Sequence, residues 1–482
     1  AEDASIHDPT DLGRIWSSAP ARAFGQWTLA LNYGAHGTQV AGYHLLNVLI
    51  HFLAGCAVLA LLGALVRSPV MTGEGRDWLL WVPLLAALLF GCLVLLTKQN
   101  AATLLAVILL VELIFFRRLS APQRWSTLVA AGLAAAALVY LVNQEPLDSM
   151  TRGAWKEEGI SRTAYFATQS QVLWRYAALF FYPADQRLEY DIALQPGLGE
   201  PLVLLALAAH VLLIVLAFAL WPRAPLVTFG VLFWYLAHLV ESSFLPISDL
   251  AVEHRTYLPN LGPATITAFI LAWLGSFRRL RYPAAAASLL VVLGAAWLTV
   301  QRNALWRDPV AFHKRDTELS PNKERAWTSY GKELMRRERF PEALAAFGQA
   351  LNLGRTEEGY LEVQPQTLLN AVLAMYYTGQ HRKAVQMEQW LPLEELAPVE
   401  RSTLHAAKGL ALLSLKRPDL ARNEFESALN FYPNINAQAG IATVHYLDGE
   451  YQRARQMAEE VLRQDPHNRL ARQVLEKTEV LR

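Results

Sequence analysis

RAWTSYGKELMRRERFPEALAAFGQALNL, residues 325–353, reads as two short helices joined by a tight turn. Trp327, Gly331, Phe340, Ala343, Phe347 and Ala350 fall at positions 4, 8, 17, 20, 24 and 27 of a helical-hairpin unit of about 34 residues. Small residues at positions 8, 20 and 27 are what such a hairpin needs where its helices cross, because larger side chains would hold the backbones apart. The register recurs downstream. Gly409, Leu412, Ala421, Phe425, Ala428 and Pro433 mark one further unit, and Ala442, Gly449, Ala454 and Pro466 mark the last. Ala384 marks a weaker unit between them. Position 20 thus recurs at Ala343, Ala384, Ala421 and Ala454, at spacings of 41, 37 and 33, with extra residues notably around 354–366. Each hairpin exposes an apolar face that only its neighbour can cover, so the units must stack.

This is the pattern of tetratricopeptide repeats, and it predicts an α-solenoid of about four repeats over 301–482. Upstream the composition changes. From about residue 42 to 300, long apolar runs alternate with short polar breaks, and the chain as a whole is 53% hydrophobic with a mean hydropathy of +0.20. A helix crossing about 30 Å of hydrocarbon needs about 20 apolar residues. Runs of that order lie at 43–66, 78–97, 101–116, 125–143, 202–221, 225–245, 263–276 and 283–300. The shorter stretch 171–183 carries Arg175 and reads as re-entrant or interfacial. The expected fold is all-α: a polytopic transmembrane part over 43–300, then the soluble solenoid. Cys56 and Cys92 both lie inside apolar runs and read as buried free thiols, which excludes a disulfide framework or a cysteine-based zinc site.

Lys and Arg in short loops set orientation. One set of alternate loops holds Arg67 and Arg76, then Arg117, Arg118 and Arg124, then Arg223, then Arg278, Arg279 and Arg281, whereas the short opposite link at 97–100 has only Lys98. The segment 1–42, the loops 144–201 and 246–262, and everything after 301 should therefore share the non-cytoplasmic side. A net charge of +1 with no concentrated basic face argues against nucleic acid as a partner.

Polar residues gathered on that side are where chemistry is expected, since ionisable groups at membrane depth are costly. Glu2 and Asp3 lie in the first segment, followed by His7 and Asp8. Lys98, Gln99 and Asn100 lie between two spans, and the stretch ESSFLPISDLAVEHRTYLPN at 241–260 holds Glu241, Asp249, Glu253, His254, Arg255 and Tyr257. Gln169 and Arg175 can join them from the long loop. Carboxylates can take a proton from an attacking hydroxyl, and Arg and Lys can hold a phosphate. The two capabilities together suit chemistry on a lipid-linked phosphate, and nothing in the sequence demands a metal.

QWTLALNYGAHGTQVAGYHLLNVLIHFL (26–53), LTKQNAATLLAVILLVELIFFRR (96–118) and ESSFLPISDLAVEHRTYLPNLG (241–262) resemble the GT-C membrane glycosyltransferases that end in tetratricopeptide repeats. Within them, the stretches resemble the transmembrane-and-tetratricopeptide O-mannosyltransferases and their bacterial relatives. The resemblance implies a polyprenyl-phosphate sugar donor and no further cofactor, with a hydroxyl of a polypeptide or glycan as acceptor. It implies Asp3, with Glu2 beside it, as catalytic base in the first external segment, 1–42. It assigns Glu253, His254 and Arg255 to the family's external Glu-His-Arg motif and Lys98 to its lysine at the outer end of a span, with Arg175 a further candidate for the donor phosphate. Gln99 stands where relatives commonly carry an acid. The resemblance implies a helix ahead of the acidic pair, before Ala1, and a further helix pair where the sequence passes directly from Arg67 to Trp78. Two other classes fit the same organisation: a non-catalytic membrane-anchored repeat scaffold for an envelope assembly, and a ligase moving oligosaccharide from a lipid pyrophosphate. The expected location is a bacterial inner membrane with the repeats in the periplasm, or the endoplasmic reticulum lumen in a eukaryote.

Overall fold

A computed structural model describes residues 7–18, 23–37, 39–72, 104–117, 119–123, 125–126, 129, 160–239, 241–243, 246–247, 249–355, 363–386 and 396–480. Every regular element among them is helical, and contacts divide the chain into two units. The first comprises 1–186 and 192–298; the second comprises 187–191 and 299–482.

In the first unit α1 (Leu12–Ser18) and α2 (Ala23–His36) precede α3 (Val40–Val66). Then come α4 (Leu104–Val111), α5 (Arg162–Phe181), α6 (Pro201–Leu220), α7 (Pro225–His238), α8 (Leu261–Ser276) and α9 (Arg281–Trp306), whose residues from Thr299 on count with the second unit. Three of these, α3, α6 and α9, are long and apolar enough to cross a membrane. The expected runs 78–97 and most of 125–143 lie outside the described residues. Elsewhere the helices differ instructively from the apolar runs. The 225–245 run is helical only to His238, because Glu241, Ser242 and Ser243 follow, and short polar side chains offer the backbone local hydrogen bonds that compete with a helix. The 101–116 run closes in one π-helical turn, Glu112–Phe116.

The largest departure is α5. Where a short re-entrant or interfacial stretch at 171–183 is expected, the helix is longer, 20 residues from Arg162, its start capped by Ser161, whose hydroxyl accepts from the Ala164 N–H at 3.1 Å. Thr168, Gln169 and Ser170 read as loop in sequence, yet they are buried. Thr168 and Ser170 are satisfied within the helix, donating to the Ala164 and Ala167 carbonyls at 2.8 and 2.7 Å, and Gln169 uses its Nε2 on the Leu250 carbonyl at 2.7 Å. Cys56 corrects a second expectation, being exposed on α3 rather than buried, because α3 buries little beyond Ala64 and Leu65 near its end. Those two residues join Ile114, Phe115, Phe218, Phe229 and Phe233 in the main apolar core of this unit.

In the second unit, α10 (Pro309–Leu319) leads into four hairpins: α11 (Glu324–Arg336) with α12 (Phe340–Leu353), α13 (Pro365–Tyr377) with α14 (His381–Gln386), α15 (Pro398–Ser414) with α16 (Pro418–Phe431), and α17 (Ile435–Leu447) with α18 (Tyr451–Gln464). The terminal helix is α19 (Arg469–Glu479). Prolines open many of these helices, where a missing N–H costs nothing. The four inter-helix turns share one register. Glu338, Gly379, Lys416 and Gly449 all have positive φ, and each stands five residues before its position-20 alanine. Ala343, Ala384, Ala421 and Ala454 are all at most 1% exposed. Ring edges fill the positions the glycines leave open: a Cβ on Gly331 would stand 2.6 Å from the Phe347 ring, and one on Gly409 2.5 Å from Phe425. Position 8 is glycine in both hairpins because position 24 is phenylalanine. This is a tetratricopeptide-type solenoid. Its first helices also hold the pentapeptide 187–191: Leu188 and Glu189 N–H groups donate to Asp316 Oδ1 at 2.8 and 3.3 Å, and Ser320 Oγ donates to the Glu189 carbonyl at 2.5 Å.

Candidate functional site

The segment between α7 and α8 carries the Glu-His-Arg stretch, and glycine brings its two ends together. A Cβ on Gly230 of α7 would stand 2.7 Å from the Gly262 carbonyl of α8, so the two backbones touch there as only small residues allow. The chain between them lies along α5. Tyr165, Gln169 and Tyr176 are spaced by four and seven, which puts them on one helical face. Tyr165 Oη donates to the Glu241 carbonyl at 2.7 Å, Gln169 Nε2 to the Leu250 carbonyl at 2.7 Å, and the Val252 N–H to Tyr176 Oη at 2.8 Å. Three rungs thus fix Glu241, Leu250 and Val252 against one face of α5.

Beyond the last rung a single 3₁₀ turn, Glu253–Thr256, delivers Arg255 back into the protein. Its side chain is 5% exposed. Nη1 donates to the Asp249 carbonyl at 2.7 Å, and Nε stands 4.0 Å from Glu241 Oε2. Its charge also bears on the hydroxyls of Tyr165 and Tyr176. A buried guanidinium must be paired and hydrogen-bonded or it costs several kcal/mol, about what breaking a buried pair costs. Here the Glu241 carboxylate and the Asp249 carbonyl supply that compensation, and a guanidinium has five N–H donors in all.

Aromatic and polar groups continue behind it. His238, 2% exposed, stacks on Tyr176 at 5.4 Å and meets the Trp234 ring edge-on at 4.9 Å. His210 stacks on Trp174 at 4.7 Å and bonds Tyr235 Oη and the Ser170 carbonyl at 2.7 and 2.8 Å. Both ring nitrogens of His238, Trp234 Nε1 and Ser242 Oγ are buried with no hydrogen-bond partner among the described residues. Each such group costs about 1–3 kcal/mol. The arrangement suits an anion or a hydroxyl-rich ligand, with a fixed cation and under-used polar atoms close by.

Of the residues singled out from sequence, Arg255 is buried at the centre of this arrangement, Glu253 is half-buried at the start of the same turn, and His254 is exposed. Arg175 lies on α5 one residue before Tyr176, half-buried. Glu2, Asp3 and Lys98 lie outside the described residues. The sequence reading missed Tyr165, Tyr176 and His238. The eleven-residue spacing of the two tyrosines, three helical turns, was the available signal. His238 had none. Among the described residues no group of three or more His, Cys, Asp or Glu side chains is placed to hold a metal ion.

No family model matches the chain, and no curated protein matches it in sequence. Among solved structures, YrrB, described as a TPR protein with an unusual peptide-binding site, aligns over 38% of this chain and 88% of its own, at 18% identity and a TM-score of 0.28. The Cut9–Hcn1 hetero-tetramer of APC/C aligns over 83% of this chain and 74% of its own, at 13% identity and a TM-score of 0.27. The repeat fold accordingly rests on this chain's own register of turns, alanines and glycine–phenylalanine contacts.

Proposed function

We propose that this chain is a membrane glycosyltransferase of GT-C type that moves a sugar from a polyprenyl phosphate to a hydroxyl of a protein or glycan, on the non-cytoplasmic face. The observation that carries the reading is Arg255: a guanidinium buried and pre-oriented by Asp249, Glu241 and two tyrosines, in the stretch that most resembles that family. Donors fixed before reaction stabilise developing charge without reorganisation at the moment of reaction. In the proposed step the acceptor oxygen attacks the anomeric carbon and its proton passes to Asp3, with Glu2 beside it. The bond from the anomeric carbon to the phosphate oxygen breaks with inversion. Arg255 receives the leaving phosphate, helped by Lys98 and Arg175, with Glu253 and His254 completing the motif around it. The solenoid presents the acceptor polypeptide or partner.

The test is sugar transfer in membranes holding the full chain, comparing wild type with Asp3→Asn and Arg255→Ala after both are shown to insert and express normally. Loss of about 10²–10³-fold for Arg255→Ala, and at least about 10²-fold for Asp3→Asn, is expected. Wild-type transfer in either variant removes that residue from the mechanism. Absence of transfer by wild type across a panel of polyprenyl-phosphate sugars overturns the enzyme reading in favour of the repeat-bearing scaffold. Transfer of whole oligosaccharide from a lipid pyrophosphate only would identify the ligase.

A further inference from the structure

Helices α8 and α9 are joined by a four-residue turn and diverge from it. At the turn they touch: a Cβ on Gly275 would lie 3.8 Å from the Ala284 Cβ, and Ala284 is 6% exposed. Farther along α9, Val291 and Val292, which line the space facing α8, are 55% and 64% exposed. The space between is a cleft of about 590 Å³, floored by small side chains, Ala264, Ala268 and Gly275 on α8 and Ala285 and Ser288 on α9, with Arg281 also in its wall. That volume falls within the range of about 300–1,000 Å³ usual for small-molecule sites. From Ala264 to Gly275 the lining runs about 16 Å at roughly 1.5 Å per residue, half the thickness of a hydrocarbon core.

Charge says what enters it. Arg281 lines the cleft, and Arg278 and Arg279 lie beside it on the joining turn, all three exposed. No Asp or Glu occurs in the sequence between Glu253 and Asp308. Arg281 Nη2 donates to Tyr282 Oη at 2.6 Å, its guanidinium 4.4 Å from that ring, which orients the group without neutralising it. A cleft about one leaflet deep, apolar along its length and triply basic at one end, is complementary to a molecule with one anionic head and one long apolar tail.

We propose that this cleft binds an anionic phospholipid, its phosphate on Arg281 with Arg278 and Arg279 and one acyl chain along the alanine-lined wall. The site is separate from Arg255, which precedes α8 whereas Arg281 follows it, with the length of that helix between them. The proposal rests on the helices crossing a membrane and does not depend on sugar transfer.

Full-length protein in bilayers of mixed phosphatidylglycerol and phosphatidylcholine, the former carrying a photoreactive group on its acyl chain, provides the test. Crosslinks should concentrate on residues 264–292 of α8 and α9; an even spread over α3, α6 and α9 would overturn the site. Arg281→Gln should lower retention of phosphatidylglycerol about fivefold relative to phosphatidylcholine, the usual order for one basic side chain at an anionic surface. Ala268→Phe should lower retention of both lipids by filling the cleft. Variants indistinguishable from wild type in retention would reject the proposal. Competition by glycerol 3-phosphate or inorganic phosphate would also reject it, revealing a site for free phosphate. The photoreactive arm uses wild type alone, so a variant that fails to fold leaves the proposal testable.

Discussion

In α9, Leu289, Leu290, Leu293 and Trp297 are 55–69% exposed, whereas in α18 the residues Ala454, Ala458 and Val461 are fully buried and the rest of the helix is mainly charged or polar. One helix presents its large apolar side chains outward; the other hides small ones at i, i+4 and i+7, the amphipathic stripe of a helix bathed in water. Polar groups show the reverse. The first unit buries Gln169, His210, His238 and Arg255 in hydrogen-bonded and stacked contacts. The solenoid keeps pairs such as Arg455–Glu459 at 2.9 Å and Arg463–Glu460 at 2.5 Å on its surface, where they contribute little. A soluble monomer rarely exposes so continuous an apolar face, so the contrast marks two solvents rather than two styles of packing.

That contrast can be broken most severely within the solenoid. Phe425 is fully buried against Gly409 and Gly440, the second from the next hairpin. Phe425→Ala should cost about 3–5 kcal/mol. Hydrogen exchange should register the loss in α15–α18 and leave α5–α8 unchanged; exchange rising equally in both units would mean they unfold as one. The counterpart in the first unit is Gly262→Leu, which must push α8 off α7. Overpacking costs about 1–3 kcal/mol, so a lower Tm in bilayers, together with faster proteolysis between 241 and 256, is expected.

Acid separates the units more gently. Glu424 accepts from His405 Nδ1 and Lys408 Nζ, each at 2.8 Å. Burial works to raise its pKa, but these two contacts outweigh burial and hold it below the usual 4.5. A depressed folded pKa gives stability that is present above the unfolded value and lost as pH falls through the folded one. Between about pH 5 and pH 3 the wild-type solenoid should lose about 1 kcal/mol that Glu424→Gln does not lose, read from urea midpoints. An identical pH slope in the two proteins would show the contacts to be inert. The smallest change is a gain. Lys416 occupies the left-handed position that Gly379 and Gly449 fill in other hairpins. Lys416→Gly should relieve about 0.5–1 kcal/mol of backbone strain, offset in part by the freedom glycine adds to the unfolded chain, so Tm should rise slightly. A fall would show that the lysine side chain contributes more than its backbone conformation costs.

The sequence by itself determined what local periodicity can encode. Alanines and glycines at helical-hairpin spacing specified the solenoid, because a crossing of two helices tolerates only small residues at fixed intervals. Long apolar runs likewise specified α3, α4, α6, α7, α8 and α9, since length and hydropathy are properties of one segment alone. The Glu-His-Arg stretch stood out for its density of charge beside an apolar run. Only the tertiary structure decided which of its members turns inward. Arg255 is buried and His254 exposed, a choice made by one 3₁₀ turn and by three hydrogen bonds to α5, seventy or more residues away in sequence. The same holds for α5 itself. Its polar residues signal a loop when read alone and become a buried helical face once Glu241, Leu250 and Val252 supply partners, because the cost of burying a polar group depends on what it meets rather than on what precedes it in the chain.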